Sequence, residues 1–145
     1  MKGTARRDPN PIIDQQILDD LLADAKMQAE NLMIVDLIRN DLSRVSEPRS
    51  VRVSRLFEPR TLSSAHQVSS VIESTLRYKI DLCALIKALF PCDSVVGAPK
   101  ARAFKLIQIL EFDARGIYTG SLGFMEPSGD MTFPVAIRAV EQRGE

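Results

Sequence analysis

The sequence has little of several features that define specialised protein classes. Its 145 residues include only one histidine and two cysteines, and 19 basic residues are balanced by 19 acidic ones, for a formal net charge of +0. Because nucleic-acid binding needs a basic excess that displaces counterions, we expect no nucleic-acid partner. Two cysteines are too few for a disulfide framework, and this favours a reduced, cytoplasmic setting.

Long apolar runs are also missing. No stretch approaches the length of a membrane span, and apolar residues do not follow the early charges as they would in a signal peptide. We therefore expect no membrane partner. The hydrophobic share of 45% and the charged share of 26% are ordinary for a globular protein, and the length predicts a single domain over residues 1–145.

Hydrophobic periodicity predicts a mixture of helices and antiparallel strands. Apolar residues recur at helical spacing over about residues 12–43, whereas apolar and polar residues alternate over residues 51–58, as they do in a strand. The other predicted elements are a strand over 66–76, helices over 80–90 and 100–111, and a hairpin of strands over 116–126 and 131–142. Because helices and hairpins come in blocks, the predicted fold class is α+β, with antiparallel sheets and packed helices.

One candidate for chemistry is AENLMIVDLIRNDLSRV, residues 29–45, on the first predicted helix. Asp36 lies beside an apolar lane of this helix, and a carboxylate near a buried lane needs a partner or a metal ion. Glu30 lies earlier on the same helix, on a different flank. The alternative is a solvated helix face on which Arg39 and Asp41 take part in weak surface pairs.

A second candidate is SVVGAPK, residues 94–100, where a Gly-containing loop runs into a helix. Unpaired N–H groups at a helix N-terminus can bind a carboxylate or a phosphate. The pattern of a P-loop is absent. The alternative is an ordinary helix start with no ligand.

A third candidate combines glycines with an arginine. RGIYTGSLGF places glycines at positions 116, 120 and 123, where they can mark bulges or the close approach of a ligand to the backbone. Arg138 lies inside the otherwise apolar stretch VAIRAV, and its guanidinium suits a carboxylate. The alternative is a structural salt bridge or an arginine that faces an edge of the sheet.

Together these stretches resemble the chorismate-utilising enzyme family, which includes anthranilate synthase component I, aminodeoxychorismate synthase component I, and the isochorismate and salicylate synthases. The resemblance runs through nearly the whole chain, and the motifs occur in the family's order at similar spacings. They are ENLMIVDLIRNDLSRV, SVVGAPKARA, RGIYTGSLGF and VAIRAV. The resemblance implies a partial chorismate-binding fold, similar to that of anthranilate synthase component I.

The opening MKGTARR resembles the end of the family's Pro-Ile-x-Gly-Thr motif, with Met1 where isoleucine would stand. Lysine at the variable position is common in the aminodeoxychorismate, or para-aminobenzoate synthase, branch. Anthranilate synthases carry a small residue there. Lys2 therefore indicates the aminodeoxychorismate branch.

The resemblance also implies roles for individual residues. Lys2 matches a nucleophile, Glu30 matches a ligand of Mg²⁺, and Gln67 stands where the family commonly has a histidine, one place after the only histidine, His66. The implied chorismate-binding residues are Gly3, Thr4, Ser94, Gly97, Tyr118, Gly120 and Arg138.

The implied activity is that of a chorismate aminase, which receives ammonia from a glutamine amidotransferase subunit or domain. The family continues beyond the matched motifs into a helix with a second metal-ligand glutamate, and it has a large N-terminal half. We therefore expect this chain to be a fragment that is inactive alone. Open sheet edges predict a homo-oligomer.

Departures from the family's pattern leave two alternatives. Gln67 replaces a histidine, Cys92 and Asp93 replace two glycines before the presumed anion loop, and Val96 replaces a hydroxyl residue. One alternative is a fragment of an anthranilate, isochorismate or salicylate synthase, against which Lys2 argues in the anthranilate case. The other is a non-catalytic interaction domain that retains the fold but has lost the site.

Overall fold

The computed structural model describes residues 1–97, 99–142 and 144. The chain forms two compact units, Met1–Asp81 and Leu82–Glu145. Ala98, which belongs to the predicted SVVGAPK site, lies outside the described residues, as do Arg143 and Glu145. The first unit carries Lys2, Gly3, Thr4, Glu30 and Gln67, and the second carries Ser94, Gly97, Tyr118, Gly120 and Arg138.

The first unit begins with a short strand and two helices. Strand β1 (Thr4–Arg6) is followed by α1 (Pro11–Ala23) and α2 (Ala25–Ser43). The apolar spacing predicts one helix over residues 12–43, but the helix breaks at Asp24, where the backbone is extended (φ −66°, ψ 106°). The Asp24 carboxylate accepts hydrogen bonds from two main-chain N–H groups in the first turn of α2, so it caps a new helix.

Three antiparallel strands form the sheet of the first unit, in the order β1-β3-β2. Strands β2 (Arg52–Thr61) and β3 (Ala65–Glu73) form a hairpin, which confirms the strands predicted over residues 51–58 and 66–76. Strand β1 covers the other edge of β3. Periodicity does not predict β1, because three residues are too few to show an alternation.

The core of the first unit is small and lies between α2 and the sheet. Met27 and Val35 of α2 are buried, as is Val45 just beyond this helix. Val68, near the middle of β3, is completely inaccessible to solvent. This packing holds α2 against β3 and fixes which of its side chains meet the start of β1.

The described residues of the second unit form three helices. Two of them, α3 (Leu82–Leu89) and α5 (Lys100–Leu110), confirm the helices predicted over residues 80–90 and 100–111. A four-residue helix, α4 (Asp93–Val96), lies between them, where the sequence predicts a loop. None of the described residues of α5 is buried, so its apolar side chains are largely exposed within this unit.

The hairpin of the second unit is shorter than the sequence predicts. Strand β4 (Phe124–Met125) pairs antiparallel with β5 (Met131–Thr132), so the turn between them is confirmed, but the long flanking strands are wrong in extent. Pro134 has no N–H group to donate to a ladder, which helps to end the pairing. Arg138 therefore lies beyond β5 rather than inside a strand, with a φ of 52°. Both units mix helices with antiparallel sheets, so the fold is α+β, as predicted.

Helix length bears on the expectation of no membrane partner. In the part of the chain that the structure describes, no single helix is long and apolar enough to cross a membrane. One bent pair of helical segments in the second unit would satisfy length and composition only when taken together.

Candidate functional site

Main-chain hydrogen bonds hold the Lys-Gly-Thr segment, residues 2–4, against β3. The Lys2 N–H donates to the Val68 carbonyl at 3.0 Å, and the Val68 N–H donates to the Gly3 carbonyl at 3.1 Å. Two residues thus share one partner, as in a β-bulge. Gly3 has a φ of +95°, and a Cβ added there would lie only 2.8 Å from Cγ of Met27. Glycine fits this position because it accepts the positive φ and lets α2 approach closely.

The Lys2 side chain meets Glu30 of α2. The Lys2 Nζ lies 3.4 Å from the Glu30 Oε2, and the two side chains are 41% and 43% exposed. An ion pair this exposed contributes little to stability. Thr4 lies opposite Gln67 in the ladder between β1 and β3. The structure therefore places Lys2 beside Glu30, pairs Thr4 with Gln67, and holds Gly3 between them in sequence against Val68.

The surroundings of Glu30 allow a test of the predicted Mg²⁺ site. Mg²⁺ prefers hard oxygen ligands, is bound through one or two carboxylates, and retains several waters. Among the residues that the structure describes, no group of three His, Cys, Asp or Glu side chains is placed to hold a metal ion. Glu30 therefore fits as one carboxylate ligand, and the remaining ligands of such a site would come from elsewhere or from the substrate.

Of the other acidic residues of α2, Asp36 forms the exposed pair that the solvated-face alternative predicts, whereas Asp41 does not. The Asp36 carboxylate accepts a hydrogen bond from Arg39 at 2.9 Å, and both side chains are more than half exposed. Asp41 is buried, with its Oδ1 at 3.9 Å from the Arg44 guanidinium. Neither carboxylate is part of the cluster around Lys2.

In the second unit, Tyr118 and Gly120 line a largely apolar cavity of about 590 Å³. Three phenylalanines form much of its wall: Phe90, Phe104 and Phe133. Gly116 and Ser121 also line it, as does Thr119, which is buried with a φ of 66°. The size and the aromatic walls of the cavity suit a small organic ligand.

Arg115 is a further residue of this region, which the sequence interpretation did not single out. Its guanidinium donates to the Glu111 carboxylate from Nε at 2.7 Å, and it lies 5.8 Å from the centroid of the Tyr118 ring. The pairing raises the pKa of Arg115 and lowers that of Glu111, in both cases chiefly through the hydrogen bonds between the two side chains. The guanidinium therefore lies within the distance of a cation–π contact with the Tyr118 ring. Its position in RGIYTG, beside a predicted ligand contact, is the signal that could have identified it.

The remaining predicted contacts of the second unit lie apart from this wall. Ser94 is exposed in α4, and Gly97 follows that helix with a φ of +104°. Arg138 is also exposed. Among the described residues, the lining of the cavity thus includes Tyr118 and Gly120 but not Ser94, Gly97 or Arg138.

The first unit also contains a network of four polar side chains, Arg7, Asp14, Thr61 and His66, of which Asp14 and His66 are buried. The Arg7 guanidinium binds the Asp14 carboxylate through two contacts, with Nε–Oδ1 and Nη2–Oδ2 distances of 2.8 Å each. The same carboxylate lies 3.0 Å from the His66 Nε2. The other ring nitrogen of His66 lies 3.0 Å from the Thr61 hydroxyl. Hydrogen bonds from Arg7, and then from the Asp8 N–H, hold the pKa of Asp14 well below its usual value. A lone histidine in a strand was the available signal for this network.

Comparison with known proteins places these features in one family. The family model described as "chorismate binding enzyme" matches residues 1–145. Anthranilate synthase component 1 of Aquifex aeolicus is 40% identical over 141 residues, which cover 97% of this chain and 28% of that protein. Aminodeoxychorismate synthase component 1 of Salmonella typhimurium is 40% identical over 140 residues, which cover 97% of this chain and 31% of that protein.

A solved structure gives the same result for the fold. The crystal structure of anthranilate synthase component I from Streptococcus pneumoniae superposes with a TM-score of 0.78 at 37% identity, and the match covers 95% of this chain and 32% of that one. The chain thus spans less than a third of the length of these relatives. Two relatives with different names are equally similar, so identity does not separate the branches. The chain belongs to the chorismate binding enzyme family.

Proposed function

We propose that this chain is part of a chorismate aminase, similar to aminodeoxychorismate synthase component I. The reaction converts chorismate and ammonia to 4-amino-4-deoxychorismate, for para-aminobenzoate and folate synthesis. One observation carries the proposal: the variable position of the Lys-Gly-Thr segment is a lysine, and its amine lies 3.4 Å from the Glu30 carboxylate. A small residue, expected there in the anthranilate branch, would leave this position without an amine.

Lys2 acts as a nucleophile in this proposal. Its neutral amine attacks the chorismate ring and forms a carbon–nitrogen bond, while the ring hydroxyl departs as water after gaining a proton. Ammonia then displaces the lysine nitrogen and leaves an amino group at the para carbon. The bulge at Gly3 fixes the backbone from which Lys2 extends, which restricts the positions that its amine can reach.

The other residues near Lys2 bind and orient in this proposal. Glu30 would supply one ligand to Mg²⁺, which when bound neutralises the ring carboxylate of chorismate and assists departure of the hydroxyl. Gly3 and Thr4 contact the substrate. Gln67, opposite Thr4, can donate and accept hydrogen bonds, but it cannot transfer a proton as the histidine of other family members can.

Residues of the second unit are proposed to contact the carboxylates and ring of chorismate. Tyr118 and Gly120 do so from the wall of their cavity. Ser94, Gly97 and Arg138 are assigned the same role on the resemblance alone, since the cavity does not include them. An arginine is a suitable partner for a carboxylate because its guanidinium can donate two parallel hydrogen bonds.

Ammonia would come from a glutamine amidotransferase subunit or domain. The name of the Salmonella typhimurium relative, aminodeoxychorismate synthase component 1, indicates a second component and supports this partner. Neither Cys83 nor Cys92 is part of a disulfide in the described structure, which agrees with the proposed cytoplasmic setting.

Product analysis of the full-length protein that carries this segment tests the proposal. The protein is incubated with chorismate, Mg²⁺ and ammonium, and products are separated by chromatography against a control without protein. We expect 4-amino-4-deoxychorismate. Anthranilate as the main product would overturn the assignment of the branch, and so would isochorismate or salicylate.

The alternative with a specific observation in its favour is an anthranilate synthase. Its support is the 40% identity to anthranilate synthase component 1 of Aquifex aeolicus, equal to the identity with the Salmonella typhimurium aminodeoxychorismate synthase component. A non-catalytic domain is the other alternative. It predicts no turnover of chorismate by the full-length protein in the same assay.

A further inference from the structure

The network of Arg7, Asp14, Thr61 and His66 joins the start of the chain to the hairpin of β2 and β3. Arg7 follows β1, Asp14 lies in the first turns of α1, and His66 lies in β3. The His66 side chain is 3% exposed and that of Asp14 is 11% exposed, so their contact is shielded from solvent. A carboxylate removed from water is costly unless it is fully paired, and the donors around Asp14 meet that need.

The network adjoins a strand whose short ladder provides few main-chain hydrogen bonds to fix its register. Strand β1 has three residues, Thr4–Arg6, paired with residues 65–67 of β3. A slip of one residue would turn each side chain of β1 to the opposite face of the sheet. Thr4 would then no longer lie opposite Gln67, and the Lys-Gly-Thr segment would move with it.

The network lies at the end of β1, next to residues whose pairing a slip of one residue would change. His66 lies directly opposite Ala5 in the ladder and is adjacent to Gln67. The Arg7 guanidinium also donates to the Leu62 carbonyl at 2.9 Å, in the turn between β2 and β3. One guanidinium therefore bridges α1 and the hairpin immediately after β1.

We propose that Asp14, together with Arg7 and His66, sets the register of β1 on β3 and so positions the Lys-Gly-Thr segment opposite Gln67. These three are positioning residues, because they act on the segment through the strand pairing. The inference rests on the proposed function only for the importance of that segment. The claim about register concerns this chain alone and involves no substrate.

Nuclear magnetic resonance of the 145-residue chain tests the register directly. Gln67 lies between two partners, Thr4 of β1 and Arg60 of β2, so its nuclear Overhauser contacts report both pairings at once. Asp14→Asn keeps the size of the side chain but turns an amide donor toward the guanidinium or the imidazole. Glu73→Gln is the matched control, because it weakens an exposed arginine–carboxylate pair elsewhere on β3.

The expected result is selective. In Asp14→Asn the contact between Gln67 and Thr4 is lost while that between Gln67 and Arg60 remains, and Glu73→Gln retains both. If Asp14→Asn loses both contacts, Arg7→Lys decides, since it keeps the charge but removes the two-pronged hydrogen bonding. Selective loss of the Thr4 contact in Arg7→Lys supports the proposal.

Three outcomes would overturn it. They are retention of the Thr4 contact in folded Asp14→Asn, loss of both contacts in Arg7→Lys, and retention of both in Arg7→Lys after Asp14→Asn has lost both. Loss of both contacts in Arg7→Lys would mean that the network only stabilises the first unit as a whole. Because no chorismate is present, a failed register test is distinct from a failed assignment of the reaction.

Discussion

Replacing Gly3 by alanine probes the structural basis of the Lys-Gly-Thr segment. The new methyl group would meet three atoms of the core: Cγ of Met27 at 2.8 Å, Sδ of the same residue at 3.2 Å, and Cβ of Val68 at 3.4 Å. The backbone would also have to retain a φ of +95°, which side chains disfavour. Two separate penalties therefore act at one position.

Their sizes can be estimated separately. A residue other than glycine in a left-handed conformation costs about 1–2 kcal/mol, and forcing an extra carbon into a packed core costs about 1–3 kcal/mol. We expect Gly3→Ala to lower the free energy of unfolding of the first unit by about 2–5 kcal/mol. Gly129 provides a control, because its φ is +93° and nothing lies within 4 Å of an added Cβ. Gly129→Ala should cost the second unit only the backbone part.

Urea unfolding followed by circular dichroism gives the free energies, and hydrogen exchange at the Val68 N–H locates the loss. In a Met27→Ala background the methyl group has room, so the cost of Gly3→Ala should fall to about 1–2 kcal/mol. Two results would refute the close approach of α2 to this segment. One is a loss of unfolding free energy in Gly3→Ala no larger than that in Gly129→Ala. The other is an equal loss from Gly3→Ala whether residue 27 is methionine or alanine.

Three further predictions follow from charge, composition and exposure. The pKa of Asp14 is lowered in the folded state, so its stabilising contribution is complete above about pH 4 and is lost as the pH falls below that. When the free energy of unfolding in urea is plotted against pH over this range, it should change less steeply for Asp14→Asn than for the unaltered chain. An equally steep change in both would contradict this prediction. The 145-residue chain should not turn over chorismate with Mg²⁺ and ammonium, because it spans less than a third of the length of the relatives it matches. Steady product formation in chromatography would be the contrary result. The chain should self-associate through apolar side chains such as Phe112 and Val140, which are 101% and 97% exposed; light scattering of a monomer over a wide concentration range would exclude this.

Local signals predicted the elements that depend on local sequence. The alternation over residues 51–58 corresponds to β2, and the apolar spacing over 100–111 corresponds to α5, although none of the described residues of α5 is buried. The break at Asp24 was within reach of the sequence, since aspartate before a helical stretch is a capping signal. The apolar spacing continues across it, however, and that continuity predicts a single helix.

Long-range pairing explains what the sequence could not show. Strand β1 exists because β3 offers it an edge, and no periodicity of three residues can reveal this. The contact between His66 and Asp14 joins residues on β3 and α1, so each looks ordinary in its own segment. The proximity of Lys2 to Glu30 is of the same kind, and it was expected only from the resemblance to the family.

The most direct test of the account concerns Lys2 in the full-length protein that carries this segment. Lys2→Ala should abolish or strongly impair formation of 4-amino-4-deoxychorismate, because an amine held at the reacting carbon contributes several kcal/mol to lowering the barrier. Lys2→Arg separates nucleophilic from electrostatic roles, since arginine keeps the positive charge but stays protonated and is a poor nucleophile. We predict that Lys2→Arg is as impaired as Lys2→Ala. Para-amination by Lys2→Arg at a near-normal rate would contradict covalent catalysis by Lys2 and remove the main support for the aminodeoxychorismate branch.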